Sequence, residues 1–574
     1  MDFKYNMTLK ELKKRTSKKY YKPIKFLSRD DKEIKSLSND DLRVLCHLTR
    51  AAFWIEKVQF QLENEHNTQI IAFLDREIKK GSEKAICAKR MFMSQKSNFS
   101  PDTLGNQTVL FKDVKKPLGQ AYFPEDLTIS EFHEILNRMV DMGELKEVQE
   151  ILNQRSVVKR DGNKLKAIDF VDAFPEFKQV ARELQEAKKY STNKEFNEYL
   201  ELQIKALEKA DPMLDAYADK AWAELDENCK FEFTITREHY QEFLTKSIFD
   251  NKELAQKLED AGIKIYIKDS LGARVGLVNK EGTHLLNRLK NLVEIEALYM
   301  PYKGEYENKK QKRNKQIAVD VDLIALTGEE GAYKASFVTA ENLPNSDKLS
   351  FSIGGGNRNV YHRQVRMSNA KSKNYKKLLA EEYWKYYNPE AGHWAVICHE
   401  NTHSLGPASS ALGKYRSILE EYKADMGMYA FLDEFVEHKC FTEEETKQMM
   451  VTEILGYFLK GKPVFEQAHK FRSLMICNRM LTEKAISVDG NTKIHFDFEK
   501  IKALTKKMMA EVIKIQMDGN IDNAEKYVFK WAVWTDEIDR VAKVIASYNK
   551  KLNGYVDDSL AQEFLNEDFE DSLK

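Results

Sequence analysis

The texture of the chain changes twice along its length. Up to about residue 230 apolar residues recur every three or four positions, as in "DDLRVLCHLTRAAFWIEKVQFQLENEH" and "NKEFNEYLELQIKALEKADPMLDAYADKAWAEL". That spacing lays one apolar stripe along an α-helix. From about 230 to 370 it gives way to short β-branched runs, "FEFTIT", "IKIYI", "ARVGLV", "QIAVDVDLIAL" and "KASFVTA", separated by Gly, Asn and Asp. These read as strands. Helical periodicity then returns. A sheet gathered in mid-chain between helical blocks, with no regular strand–helix alternation, predicts an α+β, mostly helical protein. At 574 residues the chain exceeds what one apolar core organises. The expected partition is an N-terminal helical lobe over 1–285 with sheet elements from about 230, a second lobe over 286–545, and an acidic, solvated tail over 546–574 ending in "NEDFEDSLK".

Charge narrows the classes of partner. Ninety-one basic and ninety-one acidic side chains balance, so no long-range field draws the protein to nucleic acid or to an anionic membrane surface. The N-terminal "MDFKYNMTLKELKKRTSKKYYK" has no apolar run behind it, and no stretch of about twenty apolar residues could span a bilayer. Six cysteines, Cys46, Cys87, Cys229, Cys398, Cys440 and Cys477, are scattered without a C-x-x-C pair. That pattern fits reduced thiols and a cytoplasmic location better than a disulfide framework. No oligomeric state follows from any of this.

The most specific local signal is "NPEAGHWAVICHENTHSLGP", residues 388 to 407. Asn388 and Pro389 suit a helix start and Gly406-Pro407 a helix stop. Within that helix His399 and His403 project from one face, a turn apart. Two imidazoles so placed can each reach a Zn²⁺ ion, and Glu400 leans over the open coordination position where a water would sit. A second helical stretch, "SILEEYKADMGMYAFLDEF", carries Glu421 and Asp425 a turn apart. Glu421 is the candidate third ligand of a His₂Glu site holding one zinc per chain, and Asp425 is placed to accept the other ring N–H of a ligating histidine, His399. Glu420 points about 100° away and reads as a solvated side chain. Cys398 is offset from the ligand face and reads as a buried thiol.

"HENTHSLGP" with "LEEYKADMGMYAFLDE" resembles the dipeptidyl peptidase III family of zinc metallopeptidases, most closely its bacterial, Nudix-associated branch. "KPLGQAYFPEDLTISEF", "SVVKRDGNKLKAIDF", "ENLPNSDKLS", "GGGNRNVYHRQVR" and "FEQAHKFRSLMICNRML" extend the resemblance over roughly residues 100 to 540. The best-known members carry H-E-x-x-G-H, whereas this chain has the five-residue form, the ordinary helical i, i+4 spacing. The resemblance implies a two-lobed molecule with a wide cleft, a helical zinc lobe with catalytic function, and a second lobe containing a small barrel-like sheet. It also implies peptide substrates trimmed two residues at a time from a free N-terminus.

By the same resemblance, His469 stabilises the oxyanion, and Tyr266 is a second candidate although the family has one fewer residue between that tyrosine and the following aspartate. Asn342 and Asn345 would hold the substrate's ammonium. Read from their own surroundings, His469 is a structural histidine and the two asparagines are turn residues around Pro344. A family glutamate two residues before the tyrosine is replaced by Lys264, which would repel an ammonium. Two other classes share the zinc residues: a thermolysin-like endopeptidase, and a non-catalytic zinc protein that binds peptides. The presence of Glu400 argues against the second, because a scaffold needs no base beside its metal.

Overall fold

The computed structural model describes residues 2–18, 21–99, 108–209, 211–238, 242–289, 292–306, 317–329, 337–343, 353–356, 358–370, 375–548 and 553–573. The fold is mostly helical with one curled, half-barrel sheet. Helix α1, Asn39–Glu63, opens with a capping box in which Ser38 and Asp41 each bond the other's backbone N–H, satisfying two of the orphan donors of a helix start. Its apolar stripe, Leu45, Leu48, Ala52 and Ile55, is fully buried against the sheet. Thr327 donates to the Ala52 carbonyl at 2.9 Å and the Gln59 side chain accepts from Leu271 N–H at 2.8 Å.

The sheet has five strands: β1 Phe231–Glu238, β2 Ser270–Asn279, β3 Ile317–Gly328, β4 Ala340–Leu343 and β5 Arg358–His362. Their order is β1-β2-β3-β5-β4, antiparallel except where β3 and β5 run parallel. Two sequence expectations change here. "IKIYI" forms no strand, because its backbone is taken elsewhere: Lys264 N–H bonds the Gln149 side chain and Tyr266 N–H the Leu152 carbonyl. Residues 334–336 of "KASFVTA" lie outside the described residues, and of its other four only Ala340 enters a strand; β5 comes from "RNVYH", where no alternation signalled one.

One face of the sheet is ionic and buried. Arg274 of β2 reaches Glu232 of β1 at 3.3 Å and Glu341 of β4 at 2.8 Å, and Arg358 of β5 reaches Glu232 at 3.1 Å. Arg274, Arg358 and Glu232 have no solvent exposure. Buried charges persist where they are paired and hydrogen-bonded, and here the pairs join every strand but β3.

Two large apolar cores organise the chain. The first is built around α1 and the sheet and includes Val319, Val321 and Leu323 of β3. The second gathers helices from beyond residue 285: α2 Leu292–Tyr299, α3 Pro389–Thr402, α4 Arg416–Gly427 and α5 Ala468–Thr482. The C-terminal segment expected to be solvated is docked. Asn553–Asp557 pairs in parallel with Tyr21–Lys25, and Leu560, Phe564, Phe569 and Leu573 are buried in the first core. The acidic residues are the exposed face of an amphipathic stretch whose aromatic face pattern-reading by charge overlooks. Replacing Phe564, fully buried, with Ala is expected to cost about 3–5 kcal/mol, read as a lowered midpoint in urea unfolding.

Candidate metal centre

Helix α3 ends at Thr402, and His403 sits in the turn just beyond, its N–H still bonded to the His399 carbonyl at 3.2 Å. Against it packs α4, and the approach is close because residue 427 is glycine. A Cβ there would lie 1.7 Å from the Thr402 hydroxyl oxygen. The two helices together bring His399, His403 and Glu421 into one group whose ligand atoms all lie within 4.8 Å of one another.

Each imidazole is oriented by a carboxylate of α4. His399 Nδ1–H donates to Asp425 at 2.8 Å, and His403 Nδ1–H to Glu420 at 3.3 Å. In that tautomer both Nε2 atoms carry lone pairs, and they face each other across 3.1 Å. Glu421 lies 3.4 Å from His399 Nε2 and 3.9 Å from His403 Nε2. Lone pairs so opposed repel unless a cation or a proton stands between them. A tetrahedral zinc ion bound at 2.0–2.1 Å would hold its donors about 3.3 Å apart. The donor set and its spacing therefore fit such an ion.

The electrostatics agree. Burial alone would pull the His399 imidazole down, but its hydrogen bonds to Asp425 and Glu421 outweigh that and raise its pKa to about 10. The acids around His399 therefore favour positive charge there. Burial would raise the Glu421 carboxyl, yet His469, His403 and His399 keep it well below the ordinary range. Glu400 is also buried, and its pKa is raised by burial against the pull of His399 and His403.

Further contacts surround this group. Glu420 is not solvated: α4 is covered on that side too, and Glu420 accepts from Lys423 at 2.8 Å and from Gln516 at 3.2 Å as well as from His403. Arg472 Nε lies 2.8 Å from the second oxygen of Asp425. Thr402 donates to the Cys398 carbonyl at 2.8 Å and lies 2.9 Å from a carboxyl oxygen of Glu296 on α2. One hydroxyl hydrogen cannot serve both. It serves one of the two acceptors at a time, and burial raises the Glu296 pKa far above the usual value. Cys398 is buried behind the ligand face.

The other sequence candidates divide. His469, in the first turn of α5, places Nδ1 3.1 Å from Glu421 while 63% of its side chain stays exposed. Asn342 donates to Asn359, whose amide in turn donates to Asn401 beside Glu400 at 3.4 Å. Asn345 lies outside the described residues. No hydrogen bond, ion pair or ring contact among the described residues joins Tyr266 to the metal group, and Lys264 is exposed. Glu420, Arg472 and Glu296 were not anticipated. The i, i+3 spacing of His469 and Arg472 on one helix was a usable signal for the second of these.

Neither a protein-family model nor a curated protein matches the sequence. Among solved structures, the chain is similar to DPP III from Caldithrix abyssi, with a TM-score of 0.78 and 19% identity over 96% of this chain and all of that one. It is equally similar to dipeptidyl-peptidase III from Corallococcus sp. strain EGB, with a TM-score of 0.79 and 19% identity over 98% of each chain. At that identity the likeness is one of fold.

Replacing Glu420 with Ala leaves His403 Nδ1 without its acceptor. Metal affinity measured by competition with a chelator is expected to fall about 10- to 100-fold, with one ion still bound at saturation.

Proposed function

We propose that the chain is a zinc-dependent peptidase of the dipeptidyl peptidase III family, in its bacterial, Nudix-associated branch, and that it removes dipeptides from the N-termini of short peptides. The observation that carries this reading is the His399, His403 and Glu421 group, His399 buried and the other two half-buried, with the buried Glu400 next to His399 in the chain, on a fold shared at near-full length with two dipeptidyl peptidases. One zinc per chain would be held by His399, His403 and Glu421. When bound, it would acidify a water and polarise the peptide carbonyl.

The protein's own residues supply the rest. Glu400 accepts the proton of the attacking water and passes it to the leaving amine, and burial, by raising its pKa, brings it nearer to the working pH of such a base. Asp425 and Glu420 hold the two imidazoles in the tautomer that leaves Nε2 free. The exposed His469 ring is the candidate donor to the developing oxyanion. Tyr266 is the weaker candidate, having no contact with the group.

Dipeptide-sized products require a group that measures from the ammonium. Asn342 is close to the motif helix through Asn359, which supports such a site, while Lys264 in place of a glutamate works against it. The six described thiols are free, and five are buried, which accords with a cytoplasmic location. Among the described residues no helix is long and apolar enough to cross a membrane.

Glu400→Gln keeps the shape of the side chain and removes the base. It is expected to retain zinc while kcat falls by about 10²–10⁴. Products from unblocked and N-acetylated forms of the same peptides, read by mass, test the finer reading. Dipeptides from the unblocked forms alone support it. Equal cleavage of both forms replaces it with an endopeptidase, and zinc binding without cleavage of either replaces it with a peptide-binding protein.

A further inference from the structure

His403 is the member of the metal group that no helix carries. Helix α3 stops at Thr402, so the helix fixes His399 while His403 stands in the turn beyond. That turn is closed by the Ser404 N–H on the Asn401 carbonyl at 2.9 Å and the Leu405 N–H on the Thr402 carbonyl at 3.0 Å. Such bonds span one residue fewer than those of the helix they follow. Carbonyls at and past a helix end need partners that the helix cannot supply.

A lysine meets one of them. Lys423 of α4 has no solvent exposure, and its ammonium donates to the Leu405 carbonyl and to Glu420 at 2.8 Å. Glu420 is the acid that accepts from His403 Nδ1–H at 3.3 Å. One ammonium therefore reaches His403 by two routes, through the backbone just beyond it and through the acid on its imidazole. A lysine is almost never fully buried without such partners, because stripping water from its charge is costly.

Gly406 belongs to the same contact. Its φ is +87°, and a Cβ there would lie 3.2 Å from Lys423 Cδ and 3.0 Å from Ile513 Cδ1. Glycine supplies both the positive φ and the room for the lysine chain to run past the turn. His399 is held otherwise: its backbone lies inside α3, and its acid, Asp425, is met by Arg472 of another helix.

We propose that Lys423 is the positioning residue for His403, holding both the turn that carries this ligand and the carboxylate that sets its ring. Sealed from solvent, it acts on His403 through Leu405 and Glu420. An imidazole that must first be ordered binds an ion less tightly than one already in place. The inference rests on the reading of His403 as a zinc ligand.

The experiment compares Lys423→Met, Glu420→Gln and the double variant in the full chain by two measurements. The first is zinc affinity, read by competition with a chelator. The second is hydrogen exchange of the metal-free protein at the amides of 403–405, set against those inside α3. Lys423→Met is expected to weaken zinc binding about tenfold or more and to speed exchange of the turn about tenfold, with the α3 amides within about twofold. Glu420→Gln should weaken zinc but leave the turn at the parent's rate, because the bond to Leu405 remains. The double variant strands no buried charge and should show the fast turn as well. It replaces Lys423→Met, with Glu420→Gln as its reference, if the single variant does not fold. Unchanged affinity, or a turn and helix that exchange faster by the same factor, overturns the proposal and shows a lysine that only stabilises the lobe. Weaker zinc with the turn at the parent's rate also overturns it, leaving Lys423 a partner of Glu420 alone. A parent that binds no zinc overturns this proposal and the proposed function together. The expected shifts in a parent that binds zinc but cleaves no peptide support the proposal and remove the peptidase reading.

Discussion

The metal group depends on one steric fact, the contact between Thr402 and Gly427. Any side chain at 427 would enter the space of the Thr402 hydroxyl and push α4 away from α3. With hydrogen there, three acids of α4 reach the histidines from a single helix. Asp425 serves His399, Glu420 serves His403, and Glu421 lies beside both free nitrogens. Thr402 is fixed in turn from behind, since its hydroxyl lies within hydrogen-bond distance of the Cys398 carbonyl of its own helix and of Glu296. The raised pKa of Glu296 matters because the surroundings already hold four carboxylates. A fifth negative charge in a buried place would raise the cost of them all.

Charge explains why those four acids are tolerated. Arg472 faces Asp425 and Lys423 faces Glu420, which leaves Glu421 and Glu400 to be answered by the imidazoles and by whatever cation they hold. The raised pKa of His399 and the lowered pKa of Glu421 are two sides of that demand. A metal-bound imidazole must be neutral at its ligating nitrogen, so with the His399 pKa raised metal uptake and proton release are linked.

How much of this was legible in the sequence follows from the range of the interaction. His399, His403, Glu421 and Asp425 are separated by single helical turns within their own segments, and helical geometry alone puts each pair on one face. Glu420 escaped because its reading assumed that a helix has a wet side. With α3 on one flank and Gln516 on another, α4 has little of one, and a glutamate chain is long enough to turn through 100°. The buried Arg274 and Arg358 escaped for the same reason: burial of an arginine is decided by partners such as Glu232, which lies far off in sequence. "IKIYI" alternates like a strand, yet its N–H groups are spent on Gln149 and Leu152, acceptors that no local pattern reveals. The overall class was readable because it depends on periodicity summed over long stretches, in which such single errors average out.

Strand β5 shows how the sheet and the metal group come to be one structure. Consecutive residues serve different cores, Val360 the first and Tyr361 the second, while Arg358 enters the ionic face and Asn359 touches α3. Burying an apolar or aromatic side chain is worth about 1.5–3 kcal/mol, so parting the lobes at β5 would lose that much from whichever core gave up its residue, besides the Asn359 bond. The C-terminal segment adds a second tie, leaving the helices of the second core and ending against α1, where Arg50 bonds the Phe564 and Asn566 carbonyls. With β5 and the chain's end both anchored in the first core, the position of α3, and with it Glu400, is set by the sheet as much as by the helices that carry the ligands.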